Sequence, residues 1–473
     1  MFEVRVPVRP PKILTPIIGS ERVARIAAAG LEIVEILGGR RIVHVNSTAE
    51  GGGVAEMLPG LLGYAGQAAQ DSRWFVLEGH LEFFTVTKRL HHRLHGEIGD
   101  GGPLGESEHA VMQQMLEVNR FEARAMFRQS DVVVLHDPQP APFAKWLADR
   151  GQPVVWRCHI GVSQVNDYST QAWNFLRTVL EPHVDWYIFS REDYVPTWVP
   201  KTRLSIIKPS LDPYSAKNRY LSADYSTATL QQIGILSGKP FQDRASTRNG
   251  YSRTRVAGSA SITRQGVAPA PTTPLVLQVS RWDPLKDMPG VLNAFANETG
   301  CESAHLVLAG PDVTSVADDP EGLDVFNAVV EQWRELGETK RARISIVCLP
   351  MNDTQANAIM VNALQRHAAV VVQKSLKEGF GLTVTEAMFK RRPVVASAVG
   401  GIVDQIQDGT NGVLVNADDP QETGRSIAKL LAEPRLRRQL GNAAVQTVVA
   451  KFMPDFSVLQ LAKAIEGLSA RRN

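Results

Sequence analysis

Two carboxylates stand eight positions apart in "KEGFGLTVTEAM", Glu378 before a Gly-Phe-Gly turn and Glu386 after it. Ionised carboxylates only accept hydrogen bonds, so such a pair can take vicinal hydroxyls, one set on a sugar and one on a ribose. Gly379 and Gly381 permit a tight turn around Phe380, and Leu382 and Thr383 open an apolar helical stretch. Thr383 or Thr385 is placed to cap that helix, leaving its positive end and free N–H groups for an anion. Singly, Glu386 reads equally well as a helix-dipole charge and Glu378 as a loop carboxylate. Together, beside Gly379, Phe380 and Gly381, they read as a binding pair.

Cations occur at a matching place. In "VSRWDPLKD", Arg281 and Lys286 follow an apolar strand, where they could neutralise a diphosphate. On their own they read as well as a pair of solvated surface charges. Gly51, Gly52 and Gly53 follow "RIVHVNS" and open a helical pattern, so bare N–H groups can approach an anion. A plain strand-to-helix turn remains open for them. The spacing is not G-x-G-x-x-G and no acidic ribose clamp follows, which disfavours a dinucleotide site and a dehydrogenase. Asn46, the His136–Asp137 pair, and Arg157 with His159 stand at strand ends in the first half and suggest a polar acceptor pocket. His91, His92 and His95 lack an acidic partner at ligand spacing and read as a solvated segment, not a metal site.

The elements that must position these residues are short apolar runs alternating with helical patterns. "RRIVHVNS", "DVVVLHD", "PVVWRCHI" and "DWYIFSR" make one series; "PLVLQVSRWD", "SAHLVLAGPD", "ARISIVCLP", "AAVVVQKS" and "RPVVASAVGG" make another. Continuous apolar strands alternating with helices indicate parallel sheets covered on both faces. Two series predict an α/β protein of two doubly wound, Rossmann-like domains facing across a cleft, with ligands at the carboxyl ends of the strands. The expected boundaries are an acceptor domain at 1–212, a linker or insertion at 213–274, a donor domain at 275–452 and a C-terminal helix at 453–473 that packs back on the first domain. Residues 237–274, rich in Ser, Thr, Gly, Pro and Arg, read as a solvated tether. Both "DDP" runs, at 318–320 and 418–420, read as turns rather than donor-metal motifs.

Composition sets the outer bounds. A chain of 473 residues is too long for one ordinary core, and 44% hydrophobic with 21% charged residues is usual for a globular protein. Fifty-one Lys and Arg against 49 Asp and Glu argue against bulk nucleic-acid binding. Three scattered cysteines suit reduced thiols, and no apolar run approaches the roughly 20 residues that span a bilayer. The proline-interrupted start lacks a signal-peptide core, so the expected address is the cytoplasm, with no membrane partner.

These motifs together resemble the retaining glycosyltransferases of the GT-B fold. Glu378 and Glu386 look like the ends of that family's E-x7-E motif, which implies contacts of the first with donor-sugar hydroxyls and of the second with the ribose. The resemblance assigns the donor diphosphate to Arg281 and Lys286 and places His159 beside the reacting sugar. More narrowly, "VHVNSTAEGGGVAEML", "RWFVLEG", "FFTVTKRLHHRLHG", "HDPQPAP", "WRCHI" and "EGFGLTVTEAM" are similar to the glycosyltransferring trehalose synthase and trehalose phosphorylase group. That group implies transfer of glucose from a nucleoside diphosphate to free glucose, giving α,α-trehalose with retention. The leaving diphosphate takes the acceptor proton on the same face. It implies donor contacts from Gly51, Gly52, Gly53, Gly379, Phe380, Gly381, Leu382 and Thr383, and acceptor contacts from Asn46, His136, Asp137 and Arg157. No cofactor is required, Mg²⁺ at most stimulates, and a homodimer is the expected assembly. Phosphorolysis of trehalose and non-catalytic binding of a nucleotide sugar are the alternatives.

Overall fold

The computed structural model describes residues 1–49, 52–239, 259–313 and 321–472. The chain divides into two compact units, residues 1–212 with 451–473, and residues 213–450.

The first unit is built on β1 (Phe2–Val4), β2 (Ile42–Asn46), β3 (Ser72–Val76), β4 (Val132–His136), β5 (Val154–Cys158), β6 (Trp186–Phe189) and β7 (Leu204–Ile206), in the order β1-β3-β2-β4-β5-β6-β7. Only β1 runs antiparallel, against β3. β2, β4 and β5 are buried along their whole length, as strands covered by helices on both faces must be. The C-terminal helix Pro454–Arg472 lies on the helix Thr15–Leu37. Arg22 grips Asp455 through two parallel bonds of 2.7 Å, and Asp455 is 2% exposed. A Cβ on Gly467 would stand 2.3 Å from the Trp186 ring, so the helix approaches β6 as only glycine allows. Removing one partner of a buried ion pair leaves the other charge uncompensated. Asp455→Ala should therefore cost about 3 kcal/mol, read as a lower urea midpoint for the transition of this unit.

The second unit holds β8 (Ser261–Arg264), β9 (Leu275–Val279), β10 (His305–Pro311), β11 (Ile344–Leu349), β12 (Val370–Gln373), β13 (Val394–Ser397) and β14 (Val413–Val415). Their order is β14-β13-β12-β9-β10-β11-β8. All neighbours are parallel except β8, which pairs antiparallel with β11.

The described residues of 213–274 belong to the second unit. The helix Ala223–Gln232, capped by Ser222, packs on the helix Thr354–His367, and Asn362 Nδ2 donates to the carbonyls of Ala216 and Arg219 at 2.9 and 2.8 Å. β8 lies inside the stretch read as a solvated tether; residues 240–258 of that stretch lie outside the described residues. A four-residue edge strand amid Ser, Thr and Gly carries no hydrophobic run, and only pairing with β11 defines it. Asp419, in the second Asp-Asp-Pro run, N-caps the helix Pro420–Ala432; the first run lies outside the described residues. No helix among the described residues is long and apolar enough to cross a membrane.

Candidate active site

Most of the predicted donor residues follow the carboxyl ends of β9 and β12. After β9 the chain turns at Arg281-Trp282-Asp283. Trp282 is buried and donates to the Pro311 carbonyl at 2.9 Å, while a Cβ on Gly310 would come within 2.5 Å of its ring. Asp283 caps the short turn Pro284–Lys286 by accepting from Leu285 N at 2.9 Å, and its other oxygen accepts from Arg281 Nη2 at 3.1 Å.

Lys286 and Glu378, 92 residues apart, form an ion pair of 2.7 Å; Ser375 Oγ donates to the same carboxylate oxygen at 3.2 Å. Two backbone devices hold the pair. Leu376 N donates to the Leu285 carbonyl at 2.8 Å. Gln278, fully buried in β9, donates to the Lys286 carbonyl at 2.7 Å and accepts from Lys374 N at 2.9 Å. Lys374 in turn pairs with Asp287, which sits at φ 47° and caps the next helix. Lys286 is thus an ion-paired cation. It is held at Glu378.

Neither threonine caps the helix Leu382–Phe389. Gly381 occupies the N-cap at φ 84°, and no side chain bonds there. Thr383 Oγ1 donates to Gln373 at 2.8 Å and Thr385 Oγ1 to Gln405 at 2.6 Å, which draws both hydroxyls away from the helix end. Gln405 Nε2 also donates to the Phe380 carbonyl at 2.5 Å and shapes the turn. The N–H groups of Leu382 and Thr383 have no acceptor among the described residues, which is the arrangement that favours an anion. Glu386 is 3% exposed, accepts from Gln365 Nε2 at 3.3 Å and lies 3.7 Å from Lys217 Nζ. The two glutamates therefore have separate cationic neighbours, Lys286 for one and Lys217 for the other.

In the first unit Gly52 is the extended N-cap of the helix Gly53–Gly63 that follows β2; Gly51 lies outside the described residues. Asn46 Oδ1 accepts from Trp74 Nε1 and its Nδ2 donates to the Thr48 carbonyl, both at 2.7 Å, so its buried amide braces the turn. His136 likewise has side-chain partners. It is fully buried, with Nε2 2.9 Å from His44 Nδ1 and Nδ1 3.2 Å from His159 Nε2. His44 Nε2 is buried and has no partner among the described residues. A bare lone pair there is less costly than an orphaned N–H, so the protons order from His44 through His136, leaving His159 with its own proton on Nδ1.

Asp137, at φ 62°, accepts from His159 N at 2.8 Å. Burial pushes its carboxyl up to about 7, opposed by that bond and by Arg157. Arg157 is 1% exposed and burial pushes its guanidinium down to about 10. Its Nη2 lies 3.5 Å from Met57 Sδ, while Nε and Nη1 have no partner among the described residues.

Burial drives His44 down to about 3 and holds His136 and His159 well below the usual imidazole range. The unfolded chain takes up three protons on these rings as pH falls through about 6.5, which the folded chain does not. Asp137 works in the opposite sense, taking up one proton in the folded state below about 7. The cluster thus binds fewer protons folded than unfolded below about pH 6.5, so its contribution to stability falls as pH drops toward about 5. Urea midpoints across that window should decline accordingly, with a smaller slope in His44→Phe.

The segment read as solvated, His91, His92 and His95, is largely internal. His92 and His95 are buried, and the rings of His91 and His95 lie 4.9 Å apart. Among the described residues no group of side chains is arranged to hold a metal ion. Gln278, Lys374 and His44 were missed in the sequence, although each is a polar residue within or just after an otherwise apolar strand, which is a visible signal.

Residues 44–196 match the family model described as trehalose synthase, N-terminal domain, and residues 261–447 match glycosyl transferases group 1. The trehalose synthase of Thermococcus litoralis is 34% identical over 443 residues, 92% of each chain. The trehalose phosphorylase of Pleurotus sajor-caju is 23% identical over 85% of this chain and 54% of its own. Anabaena HepE, solved in complex with UDP and glucose, matches with a TM-score of 0.61 at 15% identity, over 90% of this chain and 99% of its own; this likeness shows the GT-B fold.

Proposed function

Because the chain belongs to the trehalose synthase family of glycosyltransferases, we propose that it moves glucose, with retention, from a nucleoside diphosphate to free glucose. The product is α,α-trehalose, and the reaction runs in both directions. The observation that carries this reading is the Lys286–Glu378 pair beside the Gly381 turn, with the Leu382 and Thr383 N–H groups lacking acceptors among the described residues. A cation, a carboxylate and bare N–H groups together suit a sugar carried on a diphosphate.

In this reading the bond from the glucose C1 to the diphosphate oxygen breaks as the bond from C1 to the acceptor hydroxyl oxygen forms on the same face. The acceptor proton passes to the departing phosphate oxygen. Arg281 and Lys286 stabilise the charge that collects there, and Glu378 and Glu386 take sugar and ribose hydroxyls. Acceptor hydroxyls fall to Asp137 and Arg157, and donor-hexose orientation to His159. With two cations on the diphosphate, no metal is assigned a step, and Mg²⁺ would only assist.

Pure protein incubated with UDP-, ADP- or GDP-glucose plus glucose should yield a nonreducing disaccharide with at least one donor. No product with any of the three would sink this reading. Release of glucose 1-phosphate from trehalose and phosphate, without transfer from any nucleotide, would assign phosphorolysis instead.

A further inference from the structure

The second unit has a cationic cavity at the amino ends of its strands, opposite the candidate site. Pro274, Ala369 and Pro393, which immediately precede β9, β12 and β13, help line a cavity of about 480 Å³. Arg281 and Glu378 instead follow the carboxyl ends of β9 and β12.

Arg391, Arg392, Arg437 and Arg438 stand in its wall with His367, and among the described residues no carboxylate lines it. Three of the four guanidiniums bond only to neutral oxygens. Arg391 reaches Asn442 Oδ1 at 3.4 Å, Arg392 reaches the carbonyls of Lys390 and Ala368, and Arg437 reaches those of Leu430 and Leu431. Arg438 has no hydrogen bond or ion pair among the described residues. Burial lowers the basicity of Arg392 and Arg437, and Arg438 lowers that of Arg437 further. The helix Pro434–Lys451 also begins here, with no acidic residue in its first turn. Arg437 and Arg438 thus stand near its positive end, an unfavourable place for cations, and Glu433 immediately precedes the helix. Like charges, desolvation and the helix dipole all disfavour this wall as it stands, and an anion relieves all three.

We propose that the cavity binds the phosphate group of a small phosphorylated polyhydroxy compound. Guanidinium forks match phosphate oxygens in pairs, and Asn442 with the hydroxyls of Thr272 and Thr273 offers partners for the remainder of the molecule. The volume exceeds that of a bare phosphate and falls in the range of small-molecule sites.

Calorimetric titration of the full chain with glucose 6-phosphate tests this, with inorganic phosphate and glucose as comparison probes. One molecule should bind whether or not UDP is present in excess, inorganic phosphate more weakly, and glucose not at all. Arg438→Glu, at an exposed position, and Arg391→Asn, which keeps the φ of 59° that Asn tolerates, should each weaken binding about tenfold. Unchanged affinity in both variants, displacement by UDP, or no binding would overturn the assignment. Equal affinity for inorganic phosphate would overturn its polyhydroxy half. Because the readout is binding, it is independent of whether the chain makes trehalose.

Discussion

Lys286→Met should fold but lose about three orders of magnitude in kcat if Lys286 stabilises the leaving diphosphate as proposed, the upper range for removing one preorganised group that stabilises developing negative charge. Two effects combine in that loss. On the proposed reaction the diphosphate would leave without its ammonium partner, and Glu378, with its side chain only 10% exposed, would keep a carboxylate whose nearest cation has gone. The second effect costs stability, about 3 kcal/mol for a broken pair at this depth. The double variant Lys286→Met/Glu378→Gln separates them. Its urea midpoint should return most of the way to wild type, since a neutral amide needs no counter-charge, while turnover stays low. Recovery of turnover in the double variant would show that Lys286 acts only by holding Glu378, and the leaving-group role would fall.

Arg157→Met should make the protein more stable and much less active. A guanidinium that is 1% exposed, with two of its three nitrogens lacking partners among the described residues, is an expensive group to bury. Replacing buried charges by an apolar side chain of similar volume is often neutral or stabilising by about 1–4 kcal/mol. Asp137 can adapt, because its carboxyl already titrates near 7 and becomes neutral when the cation is removed. If the unpaired nitrogens await acceptor hydroxyls, kcat/KM for glucose falls at least about a hundredfold, the size expected when charged hydrogen bonds to substrate are lost. Thermal unfolding and steady-state kinetics on one preparation check both halves. A variant that is both less stable and fully active would mean that Arg157 only braces Met57 and Asp137.

How much was legible without coordinates depends on the range of the physics involved. Alternation of apolar strands with helices is written in the local period of side chains, so both sheets and their parallel sense could be read directly. Glycine turns at strand ends are equally local, which is why Arg281, Lys286, Glu378 and Glu386 could be named from spacing. Cap chemistry was less secure. Thr383 and Thr385 carry the right hydroxyls, yet Gln373 and Gln405 compete for them from other elements, and Gly381 takes the cap. β8 and the helix Ala223–Gln232 escaped because their stability comes from partners, β11 and the helix Thr354–His367, rather than from their own composition.

The sequence alone determined which chemical groups stand where strands end, because backbone pattern and turn residues act over a few positions. Tertiary structure decided which of them meet. It set Lys286 on Glu378 across 92 residues, lined up His44, His136 and His159 from three strands, and gathered four arginines at the amino ends of the second sheet's strands. Pairing of that kind depends on distances through space, and no local rule of side-chain period or turn geometry contains them.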